Sequence, residues 1–388
     1  MESAWKSSET DTGDAAAESP LEETSCTSLG IHYWEDVKAR LLDIIFLGAG
    51  ASAAVGYPAM AGLRTQLLDR IKGDERNLLY ELLRSEQSDA ETVLQDIESI
   101  DSLVKRGLGK IFQGSSYAIF TDMAGQKHTV LFQQFVDLCL SLREEIRDLI
   151  FDIYQFRTEC VPRLGPYSQL FATFGSKREH HIYTTNYDRI IEAFCARTKG
   201  FEVRDGFEYD SKTRTNLWRP VSFDYALPED AVTVKVLKLH GSLDWKVGES
   251  GIERVSPEIR MEQRPTAIHK KDILIYPGSK EPPENEPFRT VYERFETQMK
   301  EADRCLVIGF SFRDPYLNRI FRDFVNSGKG HLWVMSKDCK DTVARNLLGL
   351  EKVDDLEPYL HTGRFVPIPC HFGEADWLTR LRNIELFP

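Results

Sequence analysis

The stretch Ile44–Pro58, IIFLGAGASAAVGYP, constrains this chain most. A short apolar run, Leu41–Leu47, stops abruptly at Gly48-Ala49-Gly50-Ala51-Ser52. An apolar run of this length, closed by glycine, suits a buried parallel strand. The glycines let the backbone turn tightly and come close to a ligand. A helix starting just beyond would aim its positive end at that ligand, so a phosphate is the expected guest. The match to a dinucleotide-binding fingerprint is incomplete, because Ala53 stands where a third glycine belongs. A turn whose glycines serve geometry alone is the competing reading of the stretch by itself.

The rest of the chain supplies an α/β rhythm. After Gly62–Ile71, read as a helix, that rhythm breaks into a helical insertion within residues 75–165. Its most regular part is the stripe Leu131, Phe135, Leu138, Leu142, Ile146, Leu149 and Ile153, whose steps of three and four indicate one long amphipathic helix. The stripe suits packing on the protein's own core or a subunit interface. Gly107–Gly125 reads as a loop. Alternation resumes with helix Tyr167–Gly175, strand His181–Thr185 and helix Arg189–Ala196. Lys199–Pro228 reads as a loop-rich excursion. Strands follow at Val232–Leu239, Ile273–Tyr276, Cys305–Ile308, His331–Met335 and Phe365–Ile368. Helices are expected at Phe288–Glu301, Asp314–Asn326, Asp341–Leu348 and Asp376–Asn383. Strands alternating with helices imply a doubly wound, Rossmann-like parallel sheet covered on both faces.

Composition narrows the function classes. Net charge is −12 over 388 residues, and Met1–Gly30 alone holds seven acids and one base. That segment, residues 1–30, reads as a disordered acidic tail. An acidic chain is a poor candidate for direct nucleic-acid binding. No apolar run reaches the roughly 18 residues of a membrane span. The first residues lack a basic and then apolar leader pattern, so a cytoplasmic protein is expected. The seven cysteines, Cys26, Cys139, Cys160, Cys195, Cys305, Cys339 and Cys370, never fall as C-x-x-C. This argues against a disulfide framework or a cysteine-type zinc site, and no metal is expected.

In a doubly wound sheet, ligands sit at the carboxyl ends of the strands. Polar clusters fall at four such ends: Gly48–Ser52, Thr184-Thr185-Asn186-Tyr187-Asp188, His240-Gly241-Ser242, and Gly309-Phe310-Ser311-Phe312-Arg313-Asp314-Pro315. Each has a plain structural alternative. Thr185, Asn186 and Asp188 suit a helix cap, as do Ser311 and Asp314 before Pro315. His240 alone suits a satisfied core imidazole. Their coincidence at strand ends favours a site.

With GAGAS, TTNYD, LHGS and GFSFRDP in this order, the chain from about Leu41 onward resembles the SIR2-like branch of the sirtuin-fold superfamily. The resemblance implies a sirtuin-like NAD-binding domain over 31–388, with NAD as substrate. By that resemblance Gly48, Ala49, Gly50 and Ser52 form the pyrophosphate turn. Thr185 and Asn186 lie beside the nicotinamide ribose, Asp188 recognises the carboxamide, and His240 is the catalytic base. Gly309 and Ser311 face the adenosine, and Ser336 its ribose. Ala51, Pro58, Phe310 and Asp314 complete the expected contact set, and Asn186, His240 and Asp188 the catalytic one.

The chemistry suits these residue types. Cleaving the nicotinamide glycosidic bond creates an oxocarbenium-like centre. A neutral imidazole takes a proton near pH 7, and an asparagine amide orients water without adding charge. The departures from sirtuin deacylases also matter. Ser242 to Ile273 contains no cysteine for a zinc module, and Pro58-Ala59-Met60-Ala61 stands where those enzymes carry a Phe-Arg pair. Water is then the expected nucleophile, giving nicotinamide and ADP-ribose. Relatives of this kind act as NAD-depleting effectors in anti-phage defence. The resemblance therefore implies a homo-oligomer and a hexameric ATPase partner of the HerA type. The alternatives are an NAD-dependent protein deacylase and a non-catalytic NAD or ADP-ribose sensor.

Overall fold

The computed structural model describes residues 44–85, 88–104, 117–121, 125–173, 178–228, 230–255, 272–274 and 284–384. The chain divides into Met1–Arg40 and Leu41–Pro388, and the described residues all fall in the second unit. The acidic tail, residues 1–30, lies outside them.

Strand β1 (Ile44–Leu47) leads into a one-turn helix α1 (Ala49–Ala53) and then α2 (Met60–Arg70). Helices α3 (Gly73–Leu82) and α4 (Ala90–Leu103), the hairpin β2 (Tyr117–Thr121) with β3 (Lys127–Leu131), and helix α5 (Phe132–Tyr154) follow. Next come α6 (Gly165–Thr173), β4 (Glu179–Thr184), α7 (Ile190–Arg197), β5 (Phe201–Arg204), β6 (Phe207–Asp210), β7 (Thr215–Trp218) and β8 (Val232–Lys238). Strands β9 (Gly241–Gly248), β10 (Gly251–Arg254) and β11 (Asp272–Leu274) precede helix α8 (Phe288–Glu301) and strand β12 (Arg304–Ile308). Helix α9 (Pro315–Asn326), β13 (His331–Met335), β14 (Phe365–Ile368) and a last helix, α10 (Trp377–Ile384), close the chain.

Seven strands form one sheet in the order β14-β13-β12-β1-β4-β8-β5. Every pairing in it is parallel. From β8 to β14 this is the Rossmann order 3-2-1-4-5-6, with β5 added at the edge. The doubly wound α/β expectation is met. Side chains of β1 alternate between two cores, as strand geometry requires. Ile45 and Leu47 join one hydrophobic cluster, and Ile44 and Phe46 the other. Both faces are covered, which is why the strand reads as an unbroken apolar run.

Three expectations are corrected. Lys199–Pro228 is not mainly loop: β5 joins the parallel sheet, and β6 and β7 belong to a second, five-stranded antiparallel sheet, β11-β9-β10-β7-β6. Strands of four residues are too short to show a period, so their sequence reads as loop. The strand expected at Ile273–Tyr276 is β11 and belongs to this second sheet; residues 275 and 276 lie outside the described part. The Gly107–Gly125 loop contains β2, paired with β3.

The stripe on α5 packs inward. Leu142 and Ile146 are fully buried in the same cluster as Leu79, Val93 and Ile97 of α3 and α4, whereas Leu131, expected to begin the helix, is the last residue of β3 and 40% exposed. Among the described residues no helix is long and apolar enough to cross a membrane. Leu142→Ala is expected to cost about 2–5 kcal/mol in denaturant unfolding. Leu131→Ala should stay within about 0.5 kcal/mol. Equal effects would contradict intramolecular packing of this helix.

Candidate functional site

The strand register sets the site. Met335, Ile308, Leu47, Thr184 and Lys238 are successive partners across β13, β12, β1, β4 and β8. The next residue on each strand is therefore Ser336, Gly309, Gly48, Thr185 and Leu239, all at one level of the sheet edge. Two of the four predicted clusters begin on this row, at Gly48 and Gly309; the other two begin one residue before it, at Thr184, and one residue after it, at His240.

At the switch point between β1 and β12, two turns interlock. Gly48 N donates to Ile308 O and Gly50 N to Gly309 O, each at 2.9 Å. A Cβ on Gly309, whose φ is +64°, would meet Gly50 Cα at 2.4 Å, and one on Gly50 would meet Gly309 Cα at 2.6 Å. These glycines let two backbones touch. With the Gly48, Gly50 and Ala51 amides committed to carbonyls of the protein, the turn has close approach to offer a ligand rather than those N–H groups.

The loop after β4 is tied to the same turn. Asn186 Nδ2 donates to Gly48 O and to Ser52 Oγ, both at 2.9 Å, and Ser52 Oγ donates to Asp188 Oδ2 at 2.6 Å. Both amide hydrogens of Asn186 are thereby used, and its Oδ1 remains as the acceptor. Asp188 also accepts from Ile190 N at 3.0 Å, so each carboxylate oxygen already serves the loop. Burial pushes the Asp188 carboxyl up, against the Lys238 charge and the Ser52 hydrogen bond, which hold it down. Lys238 is itself 2% exposed; it donates to Asp188 O and lies 3.4 Å from Glu192.

His240 stands two residues past Lys238, as Asn186 stands two past Thr184, on neighbouring strands in register. It is buried, and its Nε2 lies 3.0 Å from Asp314 Oδ2. Asp314 caps α9, its Oδ1 accepting from Tyr316 N and Leu317 N at 2.9 Å. An ionised carboxylate can only accept, so in the neutral imidazole the proton belongs on Nε2 and the lone pair on Nδ1. Nδ1 is buried with no hydrogen-bond partner among the described residues.

The remaining predicted residues take varied places. Ala51 O accepts from Tyr167 OH at 3.0 Å, and Pro58 O from Tyr154 OH at 2.9 Å. Ala49 opens α1, and Thr185 N bonds Leu47 O. Phe310 packs on Phe46 and Phe312 in the core. Ser311 is exposed, and its carbonyl is held by Asn346 Nδ2 at 2.8 Å. Phe312 turns the loop at φ 52°, pinned by Asn318 Nδ2 on its carbonyl at 2.7 Å. Ser336 Oγ is buried without a partner among the described residues. No group of three or more His, Cys, Asp or Glu among the described residues is placed to hold a metal ion.

Sequence reasoning missed Glu91 and Lys238, and gave Tyr187, inside the TTNYD cluster, no role of its own. Tyr187 OH donates to Glu91 Oε1 at 2.9 Å, which brings α4 to this edge. Burial pushes the Glu91 carboxyl from its ordinary 4.5 to about 7, against the pull that His240 exerts when protonated. Between those values the folded chain holds a proton that the unfolded chain lacks, so this group lowers stability as pH rises through the window. Lys238 had a sequence signal, a charge in the apolar run of β8, and Tyr187 had its place in the polar cluster; Glu91 had none.

Gly309→Ala is expected to destabilise the fold at least about 2 kcal/mol more than Gly200→Ala, because it adds overpacking. Gly200 also has positive φ, +84°, but open space around it, and should cost only about 1–2 kcal/mol. Denaturant midpoints of the two variants decide; equal losses would remove the interlock as the reason for glycine.

Residues 180–354 match the SIR2-like domain family. A sequence search of curated proteins finds no match. Among solved structures the chain is similar to Sir2Tm bound to a propionylated peptide, with 14% identity over 93% of this chain and 100% of that one and a TM-score of 0.39. It is also similar to a Sir2 homologue mutant in complex with 2′-O-acetyl ADP ribose, with 14% identity over 88% and 91% and a TM-score of 0.39. A third, on the mechanism and regulation of Sir2 enzymes, shares 14% identity over 92% and 100% with a TM-score of 0.38. At such TM-scores the fold rests on the strand order above. The segment bearing Asn186, Asp188, His240 and Asp314 is thus the one that matches a SIR2-like domain.

Proposed function

We propose that the chain is an NAD+ glycohydrolase that releases nicotinamide and ADP-ribose. The observation that carries this reading is the His240–Asp314 pair, which leaves a buried imidazole lone pair at the same sheet edge as the Asn186 acceptor. The unpartnered Ser336 Oγ and the side-chain-free glycine crossing at the switch point fit the adenosine and diphosphate of a dinucleotide.

The residues divide the work. Nicotinamide leaves a cationic linkage as a neutral ring, so no acid is required of the protein. Asn186 Oδ1 accepts a hydrogen bond from the attacking water or a ribose hydroxyl and orients it. Water forms the new C–O bond as the glycosidic C–N bond breaks, and its proton passes to His240 Nδ1. Asp314 stabilises the imidazolium and fixes the tautomer. Asp188 and Ser52 hold Asn186 in place. The resemblance to defence effectors further supports an NAD-depleting role in a homo-oligomer with a HerA-type ATPase.

The test is product analysis of NAD+ incubated with the chain, alone and with its genomic neighbour. Free nicotinamide with ADP-ribose is expected; no release in either case would end the proposal. O-acyl-ADP-ribose from an acetylated peptide would point to a deacylase, and tight binding without turnover to a sensor. Asn186→Ala and His240→Ala should each lower kcat by about 10²-fold or more with the circular dichroism spectrum unchanged. Asp314→Asn is expected to be comparably damaging. With its oxygen still capping α9, the Asn amide would donate to Nε2 and force the proton onto Nδ1. A fully active Asp314→Asn enzyme would contradict the assigned tautomer.

A further inference from the structure

The helices between α2 and α6 bring a further carboxylate, Glu91, to the loop that carries Asn186. Asp89 caps α4, its Oδ1 accepting from Thr92 N at 2.9 Å and from Thr92 Oγ1 at 3.0 Å. Glu91 lies in the first turn behind that cap. Two ties fix this helix end to the site. Tyr187 OH, between Asn186 and Asp188 in sequence, donates to Glu91 Oε1 at 2.9 Å. Arg313, beside Asp314, pairs with Asp89 at 3.6 Å. One tie thus reaches the Asn186 loop and the other the Asp314 loop.

The charged groups that bear on Glu91 come from several elements. His240 at the end of β8 favours its ionised form, while Asp89 on its own helix and Asp314 before α9 oppose it. The Tyr154 hydroxyl on α5 is near enough to feel Glu91 and Asp188. The attraction is mutual: a negative Glu91 favours a positive His240, as Asp314 does from 3.0 Å.

We propose that Glu91 is a positioning residue for His240: its carboxylate, held by Tyr187, stabilises the imidazolium that His240 becomes on taking a proton. The elements between α2 and α6 are then a working part of the site. The inference rests on His240 as the base of the glycohydrolase reading, but the coupling itself is measurable without turnover. Burial, which pushes the Glu91 carboxyl to about 7, makes the coupling strongest at and above neutral pH.

The experiment is a histidine NMR titration of the full chain, labelled at histidine, with the His240 signal assigned by its loss in His240→Asn. Glu91→Gln, which can keep the Tyr187 contact without the charge, should lower the His240 midpoint by about 1 pH unit. Glu91→Asp should recover at least half of that shift. Tyr187→Phe, which frees the carboxylate, should produce a smaller shift in the same direction. In parallel, the acid limb of kcat/KM for NAD+ should move to lower pH in Glu91→Gln by the same amount, with KM changed less than about twofold. An unmoved His240 midpoint in folded Glu91→Gln overturns the proposal, whatever happens to turnover. A moved midpoint without any NAD+ cleavage by the wild-type chain keeps the coupling and removes the glycohydrolase reading instead.

Discussion

Two backbones touch where the sheet changes direction, and the arrangement of the site follows from that contact. Gly50 and Gly309 meet at a separation that leaves no room for a Cβ on either. Their closeness lets the ends of β1 and β12 share hydrogen bonds beyond the last ladder pair. It also leaves Gly48 O positioned to receive Asn186 Nδ2 from the neighbouring strand. A side chain at this crossing would separate the strand ends and remove the acceptor that orients the asparagine.

From that crossing outward, polar groups are committed in sequence. Asn186 gives its hydrogens to Gly48 and Ser52, Ser52 gives its own to Asp188, and Asp188 receives Ile190 N. Lys238 and Glu192 place a buried charge pair beneath the loop. Such a network is worth its desolvation only when each member is satisfied. Against this background the lone pair on His240 Nδ1 and the hydroxyl of Ser336 stand out as buried groups with no partner among the described residues. They are the features that make the edge a candidate for ligand chemistry rather than a well-capped set of strand ends.

Much of this is legible in the sequence. Strand-end motifs could be read because a buried parallel strand is a compact apolar run, and a polar cluster right after it has few other reasons to exist. The capping reading of Asp314 was also correct as far as it went: the same carboxylate caps α9 and holds His240. The small antiparallel sheet was illegible because β6, β7 and β10 are four residues each, too short to show a period. Glu91 was hidden for another reason. On an amphipathic helix, a glutamate in the first turn reads as a solvated face or a dipole partner, and nothing local shows that a tyrosine from residue 187 will reach it.

Sequence alone determined the alternation of strands and helices, the parallel sheet and the identity of the polar clusters at its edge. Those are local properties, set by apolar run length, glycine placement and capping residues. Tertiary structure decided the register that puts Ser336, Gly309, Gly48 and Thr185 on one row, and the side-chain pairings across it. It also decided which imidazole nitrogen is protonated and which helix docks beside it. These depend on contacts between residues as far apart as 240 and 314 or 91 and 187, whose distances no local pattern encodes.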